Sequence, residues 1–256
     1  KHSTKTTEFF FMLAVIVVLT PAALLDARTL WGVSVWTKPL KFAISLALHF
    51  ATLALLVQLF PAEGRSRRPM PRLVRISVAA ALFEIAYLGL QAARGRHSHF
   101  NFDTGFETAM YALMGIGATL LVVVPFVLGM LILRESDGDR SGLRLGAVLG
   151  LLLGPVLTFI VTAYMSGVVY SHWVGEAASD AGGIPLLGWS REVGDLRPSH
   201  FVSLHAMQIL PLVGLAGDRL APAHARGAVW TAAALVIVAT AALFVQALAG
   251  QPLWPR

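Results

Sequence analysis

The sequence predicts an all-α, polytopic membrane protein, a bundle of about seven transmembrane helices that forms a single transmembrane domain over residues 1–256. The first observation is composition: 56% of the 256 residues are hydrophobic, only 13% are charged, and the mean hydropathy is +0.70. A soluble domain of this length needs far more surface charge. The second observation is a series of apolar segments, each close to the ~20 residues that a helix needs to cross the hydrocarbon core.

Seven apolar segments follow one another along the chain. Because lipid offers no hydrogen bonds to the backbone, each is expected to be a helix. The first has a signal peptide as its alternative reading, since basic residues precede an apolar run. No internal repeat is evident, which disfavours an inverted-repeat transporter. The segments run from Phe9 to Leu25, Phe42 to Phe60, Ile76 to Ala93, Thr108 to Leu133, Leu145 to Tyr170, His200 to Gly217 and Ala228 to Leu248.

The distribution of basic residues predicts the orientation. With a cytoplasmic N-terminus, the inner side holds 12 of the 20 lysines and arginines and the outer side holds 8. Positive charge collects on the cytoplasmic side of membrane proteins, and tryptophans collect at the interfaces, as Trp31, Trp36 and Trp189 do in the outer loops. We therefore expect an integral protein of a bacterial inner membrane whose outer loops carry function. Its composition indicates lipid rather than nucleic acid as its surroundings.

Four of the predicted helices carry polar stripes, each of which can turn toward the bundle interior. Residues three or four apart lie on one face of a helix. The stripes are Ser45 and His49; Glu84, Tyr87 and Gln91; Thr162, Ser166 and Tyr170; and His205 and Gln208.

Three ionisable side chains fall at similar depth below the outer surface. At ~1.5 Å per residue, His49 lies roughly 12 Å below Lys41, His205 roughly 9 Å below Ser199, and Glu84 about 10 Å below Gln91. An uncompensated charge there costs ~2.5–3.5 kcal/mol on insertion scales. A shared cavity, ligand or metal explains the coincidence, although a single intramembrane histidine often only links helices by a hydrogen bond.

The leading hypothesis is b-type haem near the outer face of a redox protein. Haem in a membrane bundle is commonly held between imidazoles of two helices. His49 and His205 are the expected axial pair, and His200 or His99 can replace one of them. Arg94 and Arg197 are placed to pair with the propionates. Glu84, Gln91 and Gln208 are the candidate catalytic or quinone-site residues, so the expected partner of electron transfer is quinone. Gly115 and Gly117 leave room for the macrocycle.

Two other classes of function remain open. A membrane enzyme holding a non-haem transition metal such as Zn or Fe would take its ligands from four imidazoles, with a carboxylate as base. A translocator of protons or small molecules, or an accessory subunit that joins other membrane subunits, would use Glu84 and the histidines as a proton path. The candidate metal ligands are His205, His49, His200 and His99.

Ser45 and His49 form a Ser-x-x-x-His element that resembles one element of seven-helix ceramidase-like hydrolases. That family also has a His-x-x-x-His pair on its last helix, whereas the last segment here contains no histidine. The resemblance therefore covers one element only, and the roles of the family's residues are not assigned to this chain.

A separate pattern concerns packing alone. Gly146, Gly150 and Gly154 recur at four-residue intervals, which makes a ridge of small residues along one helix face. Such a ridge lets a neighbouring helix approach closely. We expect that neighbour to belong to the same chain, with a dimer contact as the alternative.

Overall fold

The computed structural model describes residues 4–60, 69–135, 138–176 and 179–255. These residues are mainly α-helical. The chain divides into two compact units, residues 1–124 and 125–256, and each unit is described by itself. The α-helices are α1 (Thr4–Leu25), α2 (Thr37–Leu56), α3 (Met70–Arg94), α4 (Gly105–Arg134), α5 (Gly142–Tyr164), α6 (Arg197–Leu220) and α7 (Ala225–Leu248).

Six of these helices are long and apolar enough to span a membrane. With their short helical extensions they cover Thr37–Leu59, Met70–Arg94, Gly105–Arg134, Gly142–Val169, Arg197–Leu220 and Pro222–Leu248. The apolar part of α1, Phe10–Leu25, is shorter than these six. Large apolar side chains such as Val17 and Leu55 are 70% and 67% exposed, which is compatible with contact with lipid. The prediction of a mainly α-helical protein is thus confirmed, and six helices have the length and apolar composition that spanning requires.

The first unit packs α1 on α2 and α2 on α3. One core cluster joins these three helices through Met12, Phe50 and Ala81. A second cluster, nearer the C-terminal end of α3, contains Leu88 of α3 and Met114 of α4. Most of the side chains that meet in the two clusters are apolar, so the polar stripe of α3 requires small residues opposite it.

A short β-hairpin connects α1 to α2. Strand β1 (Thr29–Leu30) pairs antiparallel with β2 (Val33–Ser34). The turn between them is Trp31–Gly32, and both residues have positive φ, 52° and 76°. Two residues in the left-handed region are what a type I′ hairpin turn requires, and the glycine takes one of them without strain.

The second unit is built on the close approach of α5 and α6. A Cβ on Gly150 would lie 2.6 Å from the carbonyl oxygen of Ala206, and one on Gly154 would lie 3.1 Å from that of Ser203. A Cβ on Gly146 would meet the carbonyl oxygen of Leu210. The prediction that this glycine ridge packs within the chain is confirmed, because its partner is α6.

Polar side chains close the helix ends on the opposite side of the second unit. Asp218, near the end of α6, accepts hydrogen bonds from the backbone N–H groups of Gly142 and Leu143 at 2.7 and 2.8 Å. Arg144 donates to the carbonyl oxygens of Ile132 and Glu135 at the end of α4. Helix ends leave such backbone groups unsatisfied, and these contacts satisfy them.

The predicted polar stripe of α5 does not stay on one face. Residues Met165–Val169 form a π-helical turn, and Tyr170 follows with a φ of 49°. The wider turn rotates the later residues away from the face that Thr162 occupies. Ser166 and Tyr170 are consequently exposed, and the expectation that they face the interior is wrong.

Candidate functional site

The polar stripe of α3 is buried in the first unit. Glu84, Tyr87 and Gln91 are 0%, 3% and 1% exposed. Neither carboxyl oxygen of Glu84 has a hydrogen-bond partner among the described residues, and the same holds for the Tyr87 hydroxyl. A Cβ on Gly117 would lie 2.6 Å from Oε1 of Glu84. Gly117 on α4 is therefore the small residue that accommodates the carboxyl group, and Lys38 of α2 attracts it electrostatically.

Gln91 links this stripe to a cluster of ions at the C-terminal end of α3. Its Nε2 donates to the carbonyl oxygen of His97 at 2.9 Å, and its Oε1 accepts from Arg94 at 2.8 Å. Arg94 and Arg96 also reach Glu107, with N–O distances of 3.2 and 2.6 Å. Glu107 is 1% exposed, whereas both guanidinium side chains are 39% exposed. The cluster thus places a buried carboxylate beneath two arginines that reach the surface.

His97 and His99 lie against different neighbours. The loop that carries them bends at residues 98–100 instead of running extended, and Phe100 has a φ of 53°. The His97 ring stacks on Trp31 with 3.7 Å between centroids. The His99 ring faces Tyr111 at 6.2 Å, and its Nδ1 lies 3.1 Å from the Ser98 hydroxyl. A bent loop does not project residues two apart to one side, and the two imidazoles accordingly face different partners.

His49 is half-buried on α2. Its Nε2 is buried and has no hydrogen-bond partner among the described residues. Phe50 lies edge-on to the imidazole at 5.5 Å between centroids. Burying a polar nitrogen without a partner is unfavourable. A ligand that offers a metal ion or a hydrogen-bonding group would therefore satisfy this atom.

The histidines of α6 belong to the second unit. Nδ1 of His200 is buried and, within the described chain, lacks a hydrogen-bond partner. His205 lies against Phe201, with 4.1 Å between ring centroids, and Gln208 follows one turn further along the helix. His49, in contrast, belongs to the first unit.

Arg197, at the start of α6, holds the long loop between α5 and α6 in the second unit. Its guanidinium binds the Asp195 carboxylate, with Nη2–Oδ2 at 2.6 Å, and the Asp180 carboxylate, with Nη2–Oδ1 at 2.8 Å. It also donates to the carbonyl oxygen of Gly188 and lies over the Trp173 ring. Strand β3 (Trp173–Val174) pairs with β4 (Gly194–Asp195) beside it. Arg197 therefore already neutralises carboxylates of its own chain.

His172 lies behind this ion cluster. Its Nε2 is 3.8 Å from Oδ1 of Asp180, and its ring lies 4.2 Å from that of Trp173. Burial lowers the pKa of His172, while the nearby Asp180 carboxylate acts in the opposite direction. Burial raises the pKa of Asp180, but the neighbouring His172 and the charge and hydrogen bond of Arg197 outweigh it and leave that pKa below its usual value. Asp180 is thus held as a carboxylate next to a mostly neutral imidazole.

Sequence reasoning misses most of this outer architecture. Asp180, Asp195 and His172 were not among the candidates, and neither was Glu107. One sequence pattern does mark the two arginines that bind carboxylates: Arg-x-Ser-His-Phe occurs at residues 96–100 and again at 197–201. The two copies adopt different local structures, since the first lies in a bend and the second opens α6. Both arginines nevertheless bind carboxylates of their own unit.

Within the described ranges, no group of three or more His, Cys, Asp or Glu side chains is arranged to hold a metal ion. The fold defines a class, a helical protein with six helices of membrane-spanning length and buried polar groups on α2, α3 and α6. Comparisons with protein-family models, with curated proteins and with solved structures return no match. The function is therefore argued from the buried polar groups alone.

Proposed function

We propose that the protein is a membrane-embedded redox protein that holds b-type haem near the outer face and passes electrons to or from quinone. The observation that carries the proposal is the buried Nε2 of His49, which has no hydrogen-bond partner in the described chain. An imidazole nitrogen is the usual axial ligand of haem iron in membrane bundles. Ligation would satisfy an atom that the chain leaves unsatisfied.

The second unit offers imidazoles of the same kind. His200 has a buried, unpartnered Nδ1. His205 packs against the ring of Phe201, and contacts of this kind help to fix the ring of a ligating histidine. When bound, haem would supply one-electron chemistry. The chain's own contribution would be to ligate the iron, to keep the site apolar and to orient the imidazole rings.

The surrounding residues fit haem less fully than the imidazoles do. Gly117 leaves no space for a macrocycle, because the Glu84 carboxyl lies against it. Arg94 and Arg197 bind Glu107, Asp180 and Asp195. A guanidinium has more N–H donors than Arg94 uses in its two bonds, so a propionate would share Arg94 with Glu107 rather than take it alone. The support for haem thus lies in the histidines.

The orientation is part of the proposal. A cytoplasmic N-terminus in a bacterial inner membrane would put the loops with the two arginine clusters outside the bilayer, on the side away from the cytoplasm. His49 and His205 would lie within the bilayer. Support comes from the bias of basic residues, 12 inside against 8 outside. An electron donor would then reach the protein from the outer side, and quinone would reach it from the bilayer.

A visible spectrum of the purified protein tests the proposal. Bound haem b gives a Soret band and sharp α and β bands on reduction. We expect His205→Ala to abolish the low-spin spectrum, because six-coordinate iron does not survive the loss of an axial imidazole unchanged. His49→Ala is expected to do the same if His49 is the other ligand. His224→Ala is the matched control, since His224 is exposed, and it should leave the spectrum intact.

Two other outcomes would overturn the haem proposal and identify its alternatives. A colourless protein with stoichiometric zinc or iron would indicate a non-haem metal enzyme. A colourless, metal-free protein would indicate a translocator or an accessory subunit of a larger membrane complex. Metal analysis of the same sample separates these two outcomes.

A further inference from the structure

We propose that Glu84 is a proton-binding carboxyl group inside the first unit, connected to the outer surface by the polar face of α3. The proposal concerns a site other than the imidazoles, and it does not depend on haem. The group is completely buried, both of its oxygens lack hydrogen-bond partners in the described chain, and it lies at the level of Gly117 on the facing helix.

The chain provides space for this carboxyl group but nothing that neutralises it by contact. A side chain at position 117 would collide with the carboxyl, since a Cβ there would lie 2.6 Å from Oε1. The described residues form no ion pair with Glu84, although Lys38 of α2 attracts it electrostatically. A carboxylate without contacts is strongly disfavoured in an apolar interior, whereas a neutral carboxylic acid is not. A bound proton therefore solves the problem that burial creates.

The same face of α3 offers a path for that proton. Tyr87 lies one turn nearer the outer end, and its buried hydroxyl lacks a partner among the described side chains. Gln91 follows at the next turn, about 10 Å from Glu84 along the helix. Gln91 binds Arg94, whose side chain is 39% exposed. Polar groups thus continue from the surface to the buried carboxyl along one helix.

The charged and titratable groups around Glu84 favour its function as a switch between two states. Lys38 on α2 is a cation that attracts the carboxylate, whereas complete burial in an apolar interior favours the neutral acid. On its own helix, Tyr87 is the nearest titratable side chain, and α4 contributes glycine at the contact. In the proposed step the O–H bond of the acid breaks, the proton passes to water at the outer side, and the carboxylate remains. No electron transfer or further reactant is needed.

Infrared spectroscopy of the protein in lipid nanodiscs tests this proposal. We expect a protonated carboxylic acid band in the unaltered protein that shifts in D2O and disappears as the pH is raised. Glu84→Gln should remove the band. Glu135→Gln is the matched control, because Glu135 is exposed at the end of α4, and it should leave the band in place. Tyr87→Phe should keep the band but slow its shift in D2O, because it interrupts the path.

Three results would overturn the proposal. A band that survives Glu84→Gln would belong to another carboxyl group. A band that never shifts in D2O would show a carboxylic acid sealed from water and therefore structural. Loss of the band on adding Na⁺ at constant pH would assign the site to a metal cation instead of a proton. The infrared measurement does not require bound haem and can be made on a colourless preparation. A negative result for Glu84 is therefore distinguishable from a failure of the haem proposal.

Discussion

Replacing Gly150 by alanine is expected to destabilise the second unit. The alanine Cβ would lie 2.6 Å from the carbonyl oxygen of Ala206 and 3.0 Å from Cα of Met207. Ordinary contact begins at 3.4 Å, so the nearest distance falls short by 3.4 − 2.6 = 0.8 Å. Both obstructing atoms belong to the backbone of α6 and cannot rotate away. The two helices must therefore separate along their contact.

The magnitude follows from a matched pair of substitutions. Overpacking a well-packed interface typically costs about 1–3 kcal/mol. Alanine also favours the helix by up to ~1 kcal/mol over glycine, which opposes that cost. Gly227 on α7 is the control, because its substituted Cβ would have no atom within 4 Å. The propensity gain is common to both variants, so Gly150→Ala should be less stable than Gly227→Ala by about 1–3 kcal/mol.

Thermal unfolding in detergent measures this difference. For a chain of this size about 1 kcal/mol corresponds to roughly 2–4 °C in Tm. Gly154→Ala should fall between the two variants, since its nearest atom would be 3.1 Å away. Equal Tm values for Gly150→Ala and Gly227→Ala would refute the reasoning, because they would mean that α5 and α6 do not approach as closely as described.

Two further predictions concern the orientation and the outer loop. Reporter fusions after Asn101 and after Glu135, at opposite ends of α4, should report the outer side and the cytoplasm respectively, and a cytoplasmic Asn101 fusion would contradict the proposed orientation. Because the folded-state pKa of His172 lies below its ordinary value of 6.5, the unfolded chain binds that proton more readily, and stability should decline as the pH falls below 6.5; Asp180 adds a contribution that is lost as the pH falls below its ordinary value of 3.8. Tm measured from about pH 8 down to about pH 5 should therefore fall more steeply for the unaltered protein than for His172→Gln, and parallel curves would count against this account.

The positions of the helices were accessible from the sequence because hydropathy reports the apolar part of each one. In the structure, several helices extend into polar flanking residues, which hydropathy does not mark as helical. α2 begins at Thr37 instead of Phe42, and α6 begins at Arg197 instead of His200. Both helices have a proline near their N-terminal end. Proline is well suited to the first turn of a helix, because the backbone N–H that it lacks would have no partner there. The glycine ridge was predictable for a similar reason, since its spacing alone places it on one face.

The outer architecture was not accessible in the same way. The hairpin at Thr29–Ser34 has only the Trp31–Gly32 turn as its signal. Arg197 pairs with Asp195 two residues away and with Asp180 seventeen residues away, and no periodic pattern predicts the second pairing. The π-helical turn after Tyr164 also breaks the periodicity on which the stripe of α5 was predicted. Irregular segments conform to no fixed spacing, so their contacts appear only in the folded chain.

Satisfaction of hydrogen bonds separates the candidate residues more sharply than their positions in the sequence do. Arg94 and Arg197 lie at the predicted outer boundary, but carboxylates of the chain already bind them, and that pairing accounts for their presence. Nε2 of His49, Nδ1 of His200 and the carboxyl oxygens of Glu84 are buried atoms, yet the described chain gives none of them a hydrogen-bond partner. Folding stability gains nothing from such groups, because an unsatisfied buried polar atom costs free energy. Ligation, protonation or a hydrogen bond to water would satisfy such groups. The proposals rest on these three residues for that reason, whereas the two arginines are explained by their own ion pairs.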